Sequence, residues 1–244
     1  MTEEPNREDD KAQGQGRPPG VFDEAFLTGV EGVCEVLLIR HAQQEIDPYG
    51  VAADWVDPPL TERGRLQARL LGAALSTKRI DAVFASPLRR AAQTAEPIAR
   101  EQRLPVAVLP DLREVEVFRD VPPDQTVRDF LGPDLLAAAR QRMLNERNWD
   151  VYPHSERSYD FKQRAINAVE TVIAKNAGER VAIVCHGGVI NAYFGHIIGS
   201  PYDMFFRPAH ASVNIVVAGG ARRVLRLLND THHLTTGEGE FATY

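Results

Sequence analysis

The stretch VLLIRHAQQE, residues 36–45, decides how the rest of the chain is read. Four aliphatic residues run without interruption into Arg40-His41, which are followed by the small Ala42 and the amides Gln43 and Gln44. Consecutive apolar side chains with no alternation fit a strand covered on both faces, the situation of a parallel sheet. Ligands of open α/β sheets gather beyond the carboxyl ends of the strands. A guanidinium beside an imidazole at such an end therefore reads as part of a site, with Arg40 suited to an anion and His41 to reactive chemistry.

Other runs of the same kind occur along the chain. CEVLLIR (34–40), DAVFAS (81–86), PVAVLP (105–110) and RVAIVCH (180–186) are short, rich in β-branched residues and bounded by turn signals, so each predicts a buried strand. ERGRLQARLLGAALS (62–76) carries apolar residues at helical spacing. Ser86-Pro87 offers an N-cap and a first-turn proline for a helix through LRRAAQTAEPIAR. Strand then helix, repeated, implies a three-layer α/β fold: a mostly parallel sheet with helices on both faces. ASVNIVVAG and RRVLRLL predict a closing hairpin. Between about residues 118 and 152 the pattern becomes helical, polar and interrupted, an insertion suited to a lid or specificity element. The first 32 residues are charged, rich in Gly and Pro and poor in aliphatics, so they are expected to form an unordered tail, with order beginning between Val21 and Val33. Residues 33–244 are read as a single domain.

Composition narrows the function classes. The chain has 244 residues, 43% of them hydrophobic, enough for one large domain or two small ones. A net charge of −6 argues against a general nucleic-acid binder but permits a local basic pocket. Two cysteines, Cys34 and Cys185, lie in apolar runs and are expected to be buried thiols. No run approaches the roughly 18 apolar residues of a membrane span, and nothing resembles a signal peptide. A cytoplasmic enzyme is the expectation.

The polar residues at the strand ends share one chemistry. Arg40-His41 end the first strand, Ser86 another, and His186-Gly187-Gly188 the RVAIVC strand, while Arg89 and Arg90 open a helix and DLREVE comes directly after PVAVLP. A phosphoryl group in transfer spreads charge over three oxygens and needs fixed cationic donors. Neutral imidazole is a competent nucleophile, arginine's fork matches phosphate oxygens, and a nearby carboxyl can protonate a leaving alkoxide and then activate water. The amide groups after His186 can face an anion at a helix start.

On these residues the chain resembles the histidine phosphatase superfamily, which includes the cofactor-dependent phosphoglycerate mutases. LLIRHAQQE is similar to that family's strand ending in Arg-His-Gly, PPLTERGRLQA to its Pro-Leu-Thr segment, and FASPLRRAAQTA to its Ser-x-x-x-Arg-Ala-x-x-Thr. DLREV, SYDFKQR, VCHGGVI and LNDTHHL match further segments in the expected order. The resemblance implies a phosphoglycerate mutase-like fold, His41 as the phosphorylated nucleophile, and Arg40, Arg90 and His186 as phosphoryl-binding groups, with Gly187 at the helix start. It implies Glu114 as the general acid and base, and no metal or other cofactor. Glu116, two residues on, is the local rival to Glu114.

Three departures bear on substrate. Ala42 stands where the family has glycine, Gln43 where many relatives have Glu, and Asp47 near a position where many hold a phosphate-binding Asn. Gln43 and Asp47 are accordingly candidate substrate-binding positions. Residues 42–58 contain no basic residue, which favours a metal-independent phosphatase acting on a small phosphorylated metabolite or a phosphoprotein. A phosphoglycerate-type mutase and a phospho-ligand-binding module with weak turnover remain alternatives. Nothing in the sequence indicates a nucleic-acid or membrane partner. His154, His196 and His210 have no motif support and are assigned surface or structural roles, as are His232 and His233.

Overall fold

A computed structural model describes residues 20–236 and 239–244. Six strands form one sheet in the order β3-β2-β4-β1-β5-β6: β1 Cys34–Arg40, β2 Ala82–Ala85, β3 Val106–Val108, β4 Arg180–Cys185, β5 Val213–Gly219 and β6 Arg222–Asp230. The β1/β4, β2/β4 and β2/β3 pairs are parallel, while β5 and β6 add an antiparallel hairpin at one side. The expected mostly parallel sheet and terminal hairpin are both present. β3 is shorter than PVAVLP predicts, because Pro110–Leu112 turns into a single 3-10 turn.

Side-chain alternation along β1 builds the two outer layers. Val36 and Leu38 face a cluster with Val181, Ile183 and Cys185 of β4, covered by two helices, α7 (Ser158–Lys175) and α8 (Gly187–Ile198). Leu37 and Ile39 face the opposite cluster with Ala182 and Val184, covered by α3 (Glu62–Leu75) and α4 (Arg89–Gln102). An uninterrupted apolar run was needed because both faces are buried. Each fully buried aliphatic side chain contributes on the order of 1.5–3 kcal/mol.

Local chemistry sets the helix ends. Thr61 caps α3 by accepting the Gly64 N–H at 2.9 Å. Gly64 must lack a Cβ, since one there would lie 2.0 Å from the Gln43 carbonyl oxygen; the residue lets α3 approach the loop after His41. Ser86 is not the N-cap of α4. That helix begins at Arg89 with Leu88 in the cap position, and the Ser86 hydroxyl instead meets His186.

The remaining helices are α1 Val21–Ala25, α2 Ala52–Val56, α5 Val127–Leu131 and α6 Pro133–Glu146. Residues 1–19 of the expected tail lie outside the described residues. Order is present from α1 onward, at the early end of the expected 21–33 range, and Leu27 is 4% exposed, packed against Gly219. The helical insertion is present as α5 and α6. It is tied to the 42–58 loop where Ala52 and Ala53 N–H groups donate to Gln125 and Pro123 carbonyls at 2.8 and 3.1 Å.

Candidate active site

The carboxyl ends of three adjacent strands supply the centre. Arg40 pairs in register with Cys185, and Ala85 with Val184, so the next residues of β1, β2 and β4 (His41, Ser86 and His186) arrive at one edge. The His41 N–H donates to the Cys185 carbonyl at 2.9 Å and the Ser86 N–H to Val184 at 2.9 Å, extending the ladder into the site. The His41 and His186 rings lie 5.1 Å apart, and both side chains are buried.

The orientation of His41 is set by one bond. Its Nδ1 lies 2.8 Å from the Ala42 carbonyl oxygen. A carbonyl only accepts, so Nδ1 carries the proton and Nε2 of the neutral ring holds the lone pair. Burial, then the charges of His186, Arg90 and Arg40, holds the His41 pKa well below its usual value. His41 is thus kept neutral. Ala42 has no left-handed backbone, so an alanine is unstrained there, and its N–H donates to Thr94 Oγ1 at 2.9 Å.

Arg40 and Arg90 bring cations into the same buried volume. Arg40 donates to the Pro208 carbonyl and Arg90 to the Val56 carbonyl, yet the Nε atom of each is buried without a protein acceptor. Burial lowers the Arg40 pKa to about 10 and that of Arg90 in the same direction; both remain charged at neutral pH. His186 offers a third unmatched nitrogen, Nδ1, while its Nε2 lies 2.8 Å from Ser86 Oγ. Gly187 opens α8 against Arg40: a Cβ there would lie 3.9 Å from Arg40 Nε.

Glu114 reaches the site through backbone donors. Its Oε2 accepts the Gly188 N–H at 3.0 Å and its Oε1 the Val115 N–H at 3.0 Å. Arg164 of α7 fixes the loop that carries it, donating to the carbonyls of Asp111, Arg113 and Glu114 at 2.8, 2.7 and 3.0 Å and pairing with Glu156. This positioning role was not evident in the sequence, where SYDFKQR showed only as a motif. Glu116 points elsewhere, exposed and paired with Arg113 at 3.3 Å. Gly188 leaves room for the carboxylate, since a Cβ there would lie 2.2 Å from Glu114 Oε1. Gly188→Ala is expected to push Glu114 aside and to cost about 1–3 kcal/mol through overpacking. Turnover of an alkyl phosphate should drop with it, and unchanged kinetics would show that the carboxylate needs no such berth.

The two candidate substrate contacts are tied up locally. The Gln43 side-chain oxygen accepts from Thr61 Oγ1 at 3.0 Å. Asp47 is exposed, and its carboxylate accepts the Tyr49 N–H at 2.9 Å. Arg89 is exposed. Cys185 is buried on the α7/α8 side, and burial pushes its thiol pKa upward. His154 and His196 are exposed, but His210 is not: it is 4% exposed, with its ring 5.7 Å from that of His41. That burial excludes a surface role for His210. Its loop is brought to His41 by the Ala211 N–H donating to the His41 carbonyl at 3.2 Å, a tertiary contact with no sequence signal.

Three buried neutral histidines make stability sensitive to acid. Burial is the largest cause of the lowered pKa of His41, His186 and His210, the last to about 3. A histidine with a depressed folded pKa contributes stability that is complete above its unfolded value near 6.5 and is lost as pH falls. The urea midpoint should therefore fall steeply below pH 6.5, with these residues adding up to about 4 kcal/mol per pH unit. A flat midpoint between pH 6.5 and 5 would contradict the burial of neutral rings.

The fold and the site together define a sheet-edge centre in which an imidazole lone pair faces buried cationic donors and a carboxyl group. Residues 36–231 match the sequence model of the histidine phosphatase superfamily (branch 1). The chain belongs to that family, and its class is that of a phosphoric monoester hydrolase. It is 28% identical over 209 residues to phosphoserine phosphatase 1 of Hydrogenobacter thermophilus, covering 85% of this chain and 95% of that one. It is 29% identical over 207 residues to a metal-independent phosphoserine phosphatase of Arabidopsis thaliana, covering 84% of each. Among solved structures, YhfR of Bacillus stearothermophilus superposes with a TM-score of 0.70 at 27% identity, covering 82% of this chain and 98% of that one. Among the described residues, no helix is long and apolar enough to cross a membrane, and no group of three or more His, Cys, Asp or Glu residues could hold a metal ion.

Proposed function

We propose that the protein hydrolyses a small phosphomonoester through a phosphohistidine on His41, with Glu114 as general acid and then general base. The observation that carries this reading is the convergence on His41 of buried nitrogens without protein acceptors: Arg40 Nε, Arg90 Nε and His186 Nδ1. Buried donors left unmatched cost stability, and an anion with several oxygens would satisfy all three together. With the Ser86 hydroxyl, 2.8 Å away, as the donor to His186 Nε2, Nδ1 carries the proton offered to a phosphoryl oxygen.

In the first step the His41 Nε2 lone pair attacks phosphorus and the ester P–O bond breaks. The leaving oxygen takes the proton of the Glu114 carboxyl and departs as an alcohol. The Nδ1–H bond to the Ala42 carbonyl supports the charge that develops on the ring. In the second step the Glu114 carboxylate takes a proton from water, the water oxygen attacks phosphorus, and the P–N bond breaks to release phosphate and neutral His41. No cofactor is needed to balance either step.

A hydrolase rather than a mutase is favoured by the 42–58 loop, which contains no Lys or Arg and places the carboxylates of Asp47 and Asp54 on its exposed surface. The Hydrogenobacter and Arabidopsis relatives are phosphoserine phosphatases, which supports a small phosphorylated metabolite as substrate. Two unpaired buried cysteines accord with action in a reducing compartment, the cytoplasm. The test is a panel of phosphorylated metabolites, including phosphoserine and phosphoglycerates, with phosphate and organic product both quantified. One phosphate released per alcohol formed is expected. Transfer of phosphate between positions of one molecule, without release, would establish a mutase instead.

A further inference from the structure

His210 is the buried imidazole beside the nucleophile that this mechanism leaves unused. It lies in the loop between α8 and β5, and its N–H donates to the Thr243 carbonyl at 2.8 Å. The adjacent Ala211 adopts a left-handed φ of 57°. A chain of hydrogen bonds leads to the ring. The Gln43 N–H donates to Gln67 Oε1 at 2.9 Å, which fixes that amide and leaves both protons on Gln67 Nε2. These go to the Phe241 carbonyl at 2.7 Å and to Thr243 Oγ1 at 2.9 Å. The Thr243 hydroxyl, which accepts one of them, lies 3.0 Å from His210 Nδ1 and can turn its own proton to that nitrogen. A neutral imidazole that accepts at Nδ1 carries its proton on Nε2. His210 Nε2 is buried and has no protein hydrogen-bond partner.

Resting on the phosphohistidine reading, we propose that His210 is a further phosphoryl-binding residue, donating its Nε2–H to an oxygen of the phosphoryl group held at His41, with Thr243 and Gln67 as positioning residues that fix its tautomer. The ligand class is a tetrahedral oxyanion. A neutral donor suits this place because Arg40 and Arg90 already bring two charges to the site, and another cation among them would be repelled. The C-terminal segment thereby acts on the chemistry through a hydrogen bond rather than by contact with substrate.

The test uses inorganic phosphate and orthovanadate as competitive inhibitors of aryl phosphate hydrolysis by the full chain. His210→Ala is expected to raise both inhibition constants about tenfold, the scale of one hydrogen bond to a charged group. Thr243→Val should raise them severalfold by removing the hydroxyl proton, and Thr243→Ser should restore the original values. Nitrogen-15 NMR of the unaltered protein should show His210 as the Nε2–H tautomer, with that proton shifting when phosphate is added. An Nδ1–H tautomer, an Nε2–H indifferent to phosphate, or equal inhibition constants for Thr243→Val and Thr243→Ser would overturn the proposal, even if His210→Ala fails to fold. Retained turnover in His41→Ala would refute the phosphohistidine reading instead, a separate result from any of these.

Discussion

Replacing His41 with Ala should lower phosphate release from an aryl phosphate by about four orders of magnitude or more, the scale seen when a covalent nucleophile is removed. The expectation rests on geometry. The ring is 3% exposed, its Nδ1 is committed to the Ala42 carbonyl, and its Nε2 presents the lone pair that the mechanism needs. The thiol of Cys185 cannot substitute, because it packs on the α7/α8 face of the sheet with its pKa raised by burial. Neither His186 nor His210 is expected to take over, since each ring proton is assigned to binding an oxygen. Steady-state phosphate release measured beside a thermal melt decides the matter. A folded variant within tenfold of the unaltered enzyme would end the nucleophile assignment.

Glu114→Gln should produce the second-largest loss, and its size should depend on the substrate. General acid help is worth about 10²–10⁴-fold when the leaving alkoxide is basic, and little when it departs readily. An alkyl phosphate should therefore lose most of its turnover, while a nitrophenyl phosphate loses far less in the first step. The amide keeps the shape of the carboxyl group and one acceptor oxygen for the Gly188 or Val115 N–H, so the fold is expected to hold. A loss of equal size for good and poor leaving groups would assign Glu114 to phosphoryl binding or to the structure. Glu116→Gln is the matched control, because that side chain is exposed and pairs with Arg113.

Much of the sheet was legible because burial on both faces leaves an unmistakable trace, as in VLLI before Arg40-His41 and AIVC before His186. A residue just past the end of such a strand is placed by the sheet itself, so Arg40, His41, Ser86 and His186 could be brought to one edge from local pattern alone. The errors came where a side chain answers to a distant partner. Ser86 looked like a helix cap, but its hydroxyl meets His186, one hundred positions away. Gly188 could be read as a helix start, but not as the clearance for a carboxylate 74 residues earlier. His210 left no trace because its position depends on the left-handed Ala211 and on Thr243 in the C-terminal segment.

The most direct test of the central claim is to trap the phosphoenzyme. Enzyme mixed with substrate and quenched in alkali within the first turnover should carry one phosphoryl group, stable to base and labile to acid as a phosphoramidate is. Peptide mass spectrometry should place it on His41, and Glu114→Gln should increase the trapped fraction for a nitrophenyl ester by slowing attack of water. A single phosphoryl group on His41 is the result expected here. Full turnover with no phosphoenzyme at any quench time, or a phosphoryl group on His186 or His210 instead, would contradict it.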